Sequence, residues 1–171
     1  MVRLRFGGDD ARFKRICRPF VPGIMSKVEG MRDPEFSRPQ VSRLRESISA
    51  DLRKLGDMAI PTVRPPFISV AAAARATAIG VNLKGETWHT QTRFDPGRKV
   101  FHYEHLMPLA EIIKLLTVAG DERVVLQVLC DNLSVAWITK EEDSRLTKMG
   151  YRSNRPDPMR AYTAAKIELQ R

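Results

Sequence analysis

The stretch from Trp88 to Leu116 changes its hydrophobic period part-way, and this change restricts the possible folds more than any other feature. Apolar and polar side chains alternate over Lys99–Glu104, as they do in a strand with one buried face. After Pro108, apolar residues recur three and four positions apart, as they do on one face of a helix. Proline lacks the N–H that a first helical turn leaves unbonded, so Pro108 is suited to begin that helix. A strand that leads directly into a helix predicts a fold with both kinds of element.

A second strand is predicted just before the first. Thr90–Phe94 also alternates, and the sequence Asp-Pro-Gly at residues 95–97 is typical of a tight turn. The two segments therefore predict a β-hairpin that ends near Glu104. We expect this hairpin to form part of a small antiparallel sheet.

All three histidines of the chain lie in this stretch, at positions 89, 102 and 105. Strand alternation places His102 and Glu104 on one face, and His105 on the other face at the junction with the helix. Two imidazoles and a carboxylate can hold a divalent metal ion, or the carboxylate can hold an imidazole base in one tautomer. His102 and Glu104 are therefore candidate ligands for Mg²⁺ or a transition metal. The alternative is that the histidines are structural and are hydrogen-bonded within the packing.

Several further segments have a predicted secondary structure. They are a helix over Pro39–Leu55, a helix over Val70–Ala78 capped by Ser69, a segment over Glu122–Leu133 that favours helix over strand, a strand over Leu133–Ile138, a helix opened by the capping box of Thr139 and Glu142, and a last helix from Pro158 to Ile167 capped by Asp157. The predicted fold is α+β, a small antiparallel sheet packed by several helices. No internal repeat is evident in the sequence.

Residues 1–39 are rich in arginine and are interrupted by glycine and proline, so they predict an irregular basic N-terminal arm. Three prolines within residues 61–66 predict an extended linker. We therefore expect residues 1–66 to form the arm with its helix, and residues 67–171 to form the main α+β domain. One single domain over the whole chain is the alternative, because 171 residues are enough for one good core.

The chain is strongly basic, with 29 Lys and Arg residues against 20 Asp and Glu residues, a net charge of +9 and a pI near 10.0. Residues 1–66 hold 14 of the basic and 8 of the acidic groups, so +6 of this charge is N-terminal. Such an excess favours nucleic acid as partner, DNA before RNA, because phosphates release counterions on binding. The candidate phosphate contacts are Arg3, Arg5, Arg12, Lys14, Arg15, Arg18, Arg93, Arg152 and Arg155. The alternative is a basic protein without a polyanionic partner.

The residues Glu104-His105-Leu106-Met107-Pro108-Leu109 resemble the first signature of HNH, or ββα-metal, nucleases. The resemblance implies that His105 is the general base that activates water, and that Glu104 matches the acidic position beside it. Family members usually carry a later Asn and His, and many carry Cys-x-x-Cys pairs that bind zinc. This chain has no histidine after His105 and no such cysteine pair.

The leading expectation is therefore a metal-dependent phosphodiesterase, an endonuclease of bacterial or phage type. In this mechanism His105 deprotonates water while His102 and Glu104 hold the divalent metal ion. Arg98 or Lys99 then clamps the scissile phosphate and offsets the charge that develops on it.

A non-enzymatic nucleic-acid-binding module is the alternative, either a DNA-binding regulator or a basic component of a nucleoprotein assembly. Ser69–Val81 resembles the first helix and turn of a helix-turn-helix, for which Asn82–Thr92 has to supply the second helix. That segment contains Gly85 and β-favouring residues, so a plain packing helix over Val70–Ala78 is the other interpretation.

The cellular compartment is expected to be the cytoplasm. Cys17 and Cys130 are the two cysteines, and their distance in sequence suits reduced thiols, with a single disulfide left open. The chain has no apolar run long enough to span a bilayer, and its first ten residues lack the apolar core of a signal peptide. We expect no membrane partner.

Overall fold

Helices make up most of the described chain, which also contains a four-stranded sheet. The structure is a computed structural model that describes residues 10–170. Its α-helices are α1 (Asp10–Cys17), α2 (Val21–Arg32), α3 (Arg38–Ala59), α4 (Val70–Ala78), α5 (Leu109–Thr117), α6 (Glu122–Asn132), α7 (Lys140–Lys148) and α8 (Pro158–Ala164). Its strands are β1 (Phe67–Ser69), β2 (Phe101–His105), β3 (Val135–Thr139) and β4 (Leu169–Gln170). The predicted α+β class is confirmed.

The sheet is mixed, with the strand order β2-β3-β1-β4. β2 runs antiparallel to β3, with His102 opposite Ile138 and Glu104 opposite Ala136. β1, which the sequence did not predict as a strand, runs parallel to β3, and β4 lies antiparallel to β1. A parallel pair needs a long crossover, and the chain between β1 and β3 contains α4, β2, α5 and α6. The sheet therefore differs from the purely antiparallel one expected, because β1 was not foreseen.

Residues 10–32, expected to be irregular, form α1 and α2. Pro19 and Pro22 are the second residues of a short 3-10 helix (Arg18–Phe20) and of α2. A missing N–H costs nothing in a first turn, so these prolines do not interrupt the helices. Phe13 and Ile24 are almost fully buried. They share one hydrophobic cluster with residues of α3, α5 and α6, so this core spans both sides of the boundary expected at residue 66. Arg3 and Arg5 lie outside the described residues.

The two cysteines belong to this same cluster. Cys17 of α1 and Cys130 of α6 are free thiols, and both are buried. A hydrogen bond with Cys130, together with burial, raises the pKa of the Cys17 thiol well above its ordinary value. Cys17 therefore stays protonated and acts as a packing residue, because the thiolate is the reactive form of cysteine.

Several predicted helices and their caps are confirmed. The Ser69 hydroxyl accepts a backbone N–H in the first turn of α4, and Asp157 does the same for α8. Thr139 and Glu142 form the predicted capping box of α7. Pro108 immediately precedes α5. These helix starts depend on local chemistry, which the sequence shows directly.

The unit of β1 and α4 has the same local structure as the unit of β3 and α7, although no repeat was evident in the sequence. Ser69 and Thr139 cap the two helices, and Gly80 and Gly150 follow them with φ of 70° and 79°. Each counterpart lies 70 positions further along (69 and 139, 80 and 150). Oε2 of the buried Glu142 lies 2.6 Å from Ser69 Oγ and 2.8 Å from Thr139 N, and it accepts a hydrogen bond from each. This carboxylate therefore fixes the first turns of both helices relative to each other.

The prediction of a β-hairpin over residues 90–104 is wrong. Gln91–Arg93 forms a short 3-10 helix, and β2 pairs with β3 instead. The cause is Asp95, whose buried carboxylate accepts four hydrogen bonds at 2.9 to 3.1 Å. The donors are the backbone N–H groups of Lys99, Val100 and Phe101 and the side-chain amide of Gln91. Asp95 thus accepts the backbone N–H groups that would otherwise bond to a partner strand in a hairpin. The same bonds close a compact loop before β2.

We predict that Asp95→Asn destabilises the protein by about 3 kcal/mol at neutral pH, because hydrogen bonds to a charged acceptor are lost inside the loop. Burial raises the pKa of Asp95, but the bonds from Phe101, Gln91, Val100 and Lys99 outweigh this, so its pKa lies below the ordinary value. The contribution is therefore complete above the unfolded pKa near 3.9, and it is lost as the pH falls through the lower folded pKa. Urea unfolding of wild type and variant between about pH 2 and pH 7 measures this pH dependence.

Asp121→Asn is the matched control. Asp121 also accepts a backbone N–H, at 2.8 Å, but it is the exposed N-cap of α6. Asparagine caps a helix about as well as aspartate does, so we expect a change below about 0.5 kcal/mol. Equal losses for the two variants, or a loss for Asp95→Asn that does not shrink at low pH, contradict the role given to the Asp95 carboxylate.

Candidate functional site

β2 carries different chemistry on its two faces. The rings of Phe101 and Tyr103 meet the Trp137 ring of β3 edge-on, with centroids 6.4 and 4.7 Å apart. On the other face, His102 Nε2 lies 2.7 Å from Glu104 Oε2. Strand alternation thus brings the two predicted metal ligands together on the face away from the aromatic cluster.

α7 adds a third side chain, Asp143, beside this pair. Its Oδ1 lies 3.7 Å from His102 Nε2. One possible ligand atom from each of His102, Glu104 and Asp143 lies within 4.8 Å of the others, and we call these three residues the His-Glu-Asp cluster. Their side chains are 29%, 14% and 30% exposed, so the cluster opens to solvent. Within residues 10–170 this is the one group of metal-ligating side chains gathered so closely.

Asp143 was missed because the acidic run at residues 141–143 was explained by helix capping. The capping box does form, and it directs Glu142 into the protein towards Thr139. Successive helical residues project about 100° apart, so Asp143 points to a different side, where it meets β2. The capping box indicates the phase of α7, but the position of α7 against β2 depends on strand pairing that the sequence does not reveal.

Lys140, the first residue of α7, closes one side of the cluster. Its Nζ lies 3.1 Å from His102 Nδ1. An ammonium group has donors only, so Nδ1 is the unprotonated ring nitrogen, and Nε2 carries the proton that is donated to Glu104. A continuous chain of hydrogen bonds therefore runs from Lys140 through His102 and Glu104 to Arg155.

Arg155, predicted as a phosphate contact, lies inside the protein and is 1% exposed. Its Nε donates to the carbonyl oxygen of Leu106 at 2.8 Å, and its Nη2 donates to that of His105 at 2.6 Å and to Glu104 Oε1. The guanidinium carbon also lies 5.2 Å from the ring centroid of Tyr162. Arg155 therefore holds the end of β2 and the Glu104 carboxylate in place.

Glu104 is an anion at neutral pH. Burial raises its pKa, but the hydrogen bond from His102 and the charge of Arg155 outweigh this effect, so the pKa lies below its ordinary value. A carboxylate that keeps its charge in a half-buried position is what a cation site requires.

The His-Glu-Asp cluster fits a transition-metal ion after one rearrangement. One imidazole and two carboxylates suit Mn²⁺, Fe²⁺ or Zn²⁺ better than Mg²⁺, which prefers oxygen ligands. Bonds of about 2.1 Å hold neighbouring ligand atoms about 3.0 to 3.4 Å apart, near the 2.7 and 3.7 Å observed. Ligation by Nε2 moves the proton of neutral His102 to Nδ1, so Lys140 has to turn away. The cluster and Lys140 are therefore coupled.

The structure does not bring His105 into this cluster. His105 is on the Tyr103 side of β2, and its buried Nδ1 has no hydrogen-bond partner among the described residues. Burial lowers its pKa and outweighs the opposing charge of Glu104. His105 is therefore neutral near pH 7. Its role as general base stays a prediction.

Arg98 and Lys99, predicted to clamp the scissile phosphate, belong to the loop before β2. The guanidinium carbon of Arg98 lies 4.0 Å from the ring centroid of Trp88, and its Nη2 donates to the carbonyl oxygen of Trp88 at 3.2 Å. Lys99 and Arg93 are exposed in the same loop. The His-Glu-Asp cluster is thus assembled from β2 and α7 without the loop residues.

The remaining predicted phosphate contacts lie elsewhere on the surface. Those of α1 and the turn after it are exposed, namely Arg12, Lys14, Arg15 and Arg18. Arg152 is exposed in the loop before α8. The second helix of a helix-turn-helix is not formed after α4, because residues 82–100 contain only short 3-10 turns. α4 is therefore a packing helix, with Ala72 and Ala76 buried.

Comparison with known proteins leaves the site to be interpreted from its own geometry. The chain matches no protein-family model, no curated protein and no solved structure. Across residues 10–170, every helix is too short or too polar to cross a lipid bilayer.

We predict that Arg155→Met destabilises the protein by about 3 to 5 kcal/mol, because it leaves the half-buried Glu104 carboxylate and two carbonyl oxygens without their donor. Arg152→Met is the control in the same loop, and its exposed side chain should contribute less than about 0.5 kcal/mol. Equilibrium unfolding in urea gives both values. Similar stability of the two variants contradicts the positioning role of Arg155.

Proposed function

We propose that the protein is a metal-dependent phosphodiesterase that cleaves nucleic acid, with the His-Glu-Asp cluster as its metal site. The observation that carries the proposal is the convergence of His102 and Glu104 from β2 with Asp143 from α7 on one partly open surface. Glu104 is held as an anion there by His102 and Arg155. Glu104 is thus oriented by a partner outside the cluster, Arg155, as metal ligands usually are.

The side chains around the cluster suit phosphodiester cleavage. A divalent ion, when bound, polarises a phosphoryl oxygen and makes a bound water more acidic. The carboxylates of Glu104 and Asp143 offset the charge of the dication. Lys140 has to leave His102 when Nε2 becomes a ligand, and it is then close enough to pair with a phosphate oxygen. We therefore expect phosphate binding and metal binding to strengthen each other at this site.

Nucleic acid is the proposed substrate because of the charge of the chain. The net charge is +9, and α1 and the following turn expose four basic side chains. The resemblance of residues 104–109 to the first signature of HNH nucleases adds support from the sequence. DNA is placed before RNA as the substrate.

A non-enzymatic nucleic-acid-binding module is the second candidate, and one observation favours it. The protein itself balances the polar groups of the cluster, because Arg155 pairs with Glu104 and Lys140 bonds to His102. In that case the cluster is a structural network that ties α7 and the loop before α8 to β2. The binding module requires no metal, whereas the nuclease does.

The nuclease proposal predicts that wild type cleaves plasmid DNA or RNA with Mn²⁺ or Mg²⁺ and not with EDTA. Asp143→Asn should reduce cleavage at least about 100-fold, because losing a ligand costs more than losing an outer-shell partner, which costs about 10- to 100-fold. Calorimetric titration should show weaker Mn²⁺ binding in parallel. The melting temperature should change little, since Asp143 is partly exposed.

Glu141→Gln is the matched control, because Glu141 belongs to the same helical turn but lies outside the cluster. It should cleave and bind Mn²⁺ as wild type does. If wild type cleaves nothing with any of these metals, or if Asp143→Asn cleaves normally, the nuclease proposal is wrong and the binding module replaces it.

Binding to nucleic acid is predicted to be steeply salt-dependent through α1. Replacing Lys14, Arg15 and Arg18 together by Gln should reduce the slope of log K against log salt by about 2 to 3, because each phosphate contact contributes about 0.9. Fluorescence anisotropy with labelled DNA at several salt concentrations, in EDTA, gives the slope. Point substitutions are used instead of a deletion of residues 1–30, because α1 and α2 are part of the core and their removal would unfold it.

The control removes the same charge from another helix, by replacing Arg43, Arg45 and Lys54 of α3 with Gln. All three side chains are exposed. The slope should then stay close to that of wild type. An equal effect of the two triple variants, or binding that does not respond to salt, rules out α1 as the contact surface.

A further inference from the structure

The loop at residues 81–100 carries an aromatic side chain outside the protein core. Trp88 is 46% exposed, whereas Trp137, the other tryptophan, is fully buried. Trp88 belongs to none of the buried hydrophobic clusters of the described chain. Its exposure is therefore not a by-product of core packing, and an exposed indole loses the free energy that burial provides.

The loop holds this indole in a defined position. The Arg98 guanidinium lies over the ring, and its Nη2 bonds to the carbonyl oxygen of Trp88. The ring of His89 meets the indole edge-on at 5.3 Å, and His89 Nε2 lies 3.2 Å from Asp57 Oδ2 on α3. Asp95 fixes the other end of the loop through its four hydrogen bonds. These contacts hold the Trp88 indole in place, and we call this ring the platform.

Backbone strain contributes to this arrangement. Arg98 has a φ of 51°, a left-handed conformation that side chains other than glycine rarely adopt. It follows Gly97, which has a φ of 74°, and its N–H bonds to the carbonyl oxygen of Asp95 at 2.9 Å. Such strain persists where surrounding contacts impose it, and it clusters at functional sites. Here it accompanies the stacking of the guanidinium on the indole.

The platform lies close to the proposed metal site along the chain. Arg98 precedes His102 by four residues, so their Cα atoms are at most about 14 Å apart. The carbonyl oxygen of Val100 accepts the N–H of Lys140 at 2.9 Å, which places the end of the loop beside the start of α7.

The loop that carries the platform is net positive, with Lys84, Arg93, Arg98 and Lys99 against Glu86 and Asp95. Arg93 and Lys99 are exposed, and Arg98 adds a third cation. The carboxylate of Asp95 is buried and fully used by its hydrogen bonds, so it presents no negative charge to a ligand. An aromatic ring beside several cations suits a strand whose bases stack and whose phosphates pair with arginine and lysine.

We propose that Trp88, backed by Arg98, is a stacking site for a base of single-stranded nucleic acid, with Arg93 and Lys99 as phosphate contacts. This inference rests on the proposed function and specifies its substrate. A duplex keeps the faces of its bases stacked on one another, so only an unpaired or splayed base reaches the indole. The site thus directs the phosphodiesterase towards single strands or strand ends.

The test is binding without cleavage, carried out in EDTA with the full chain. The probes are an oligo-dT of about twelve nucleotides and an abasic oligonucleotide of the same length, which has the same phosphates and no bases. Trp88 and Trp137 are the two sources of indole fluorescence, and Trp137 is buried. Oligo-dT should quench the Trp88 emission and bind more tightly than the abasic strand. The abasic strand should leave the emission unchanged.

Trp88→Ala should weaken oligo-dT binding about 5- to 150-fold, the range for loss of one stacked base, and should leave abasic binding unchanged. Trp88→Phe should retain part of the affinity, because phenylalanine still stacks. Val118→Ala, at an exposed apolar position that follows α5 and is outside the loop, should bind as wild type. An acidic peptide of equal charge should bind weakly and should not quench.

The outcomes separate the two proposals. Equal binding of oligo-dT and abasic strand, or no effect of Trp88→Ala, overturns the stacking site while the nuclease proposal stands. Quenching by the acidic peptide as strong as that by oligo-dT overturns it in favour of a peptide site. If no oligonucleotide binds even at low salt, both the stacking site and nucleic acid as the substrate are wrong.

Discussion

The buried carboxylate of Glu142 is the interaction on which the arrangement of the sheet and its helices depends. It accepts hydrogen bonds from the Ser69 hydroxyl and the Thr139 backbone, and so it serves the caps of two helices at once. β1 and β3 run parallel, and α4 and α7 directly follow them. Both helices therefore begin at the carboxyl-terminal ends of these strands. A negative charge is favourable there, because both helix N-termini carry partial positive charge. With Glu142 turned inward, Asp143 is left facing β2.

A second constraint acts from the core outward. Arg155 is buried and joined to Glu104 and to two carbonyl oxygens at the end of β2. Removing two charges from water is costly, and the cost is offset only where hydrogen bonds satisfy most of the polar groups. Glu104 meets this condition through His102 on one oxygen and Arg155 on the other. The Glu104 carboxylate is therefore oriented before any ligand arrives. Oε1 is held by the buried Arg155, so Oε2, which bonds to His102, is the oxygen left for a ligand.

The sequence reveals local chemistry well and long-range pairing poorly. The capping residues Ser69 and Thr139 and the alternation of His102 with Glu104 depend on neighbours in sequence, and the structure has them as expected. The hairpin failed because Asp95 satisfies the backbone locally, which alternation alone cannot show. Asp143 could not be found, since its approach to His102 depends on the pairing of β2 with β3. The α2 helix was missed because Pro22 was interpreted as a break, whereas it lies in the first turn of that helix.

The similarity of the β1–α4 unit to the β3–α7 unit explains why the His-Glu-Asp cluster is confined to one face of β2. Ala73 of α4 and Asp143 of α7 are equivalent positions, 70 residues apart, and both are half-buried. Ala73 packs on the cluster that contains Phe101 and Trp137, so that face of β2 is filled by apolar side chains. Asp143 meets His102 on the opposite face. The same strand-helix unit, used twice, thus gives β2 one apolar face and one polar face. Ala73 is a packing contact on the first face, whereas Asp143 at the equivalent position is a candidate metal ligand on the second.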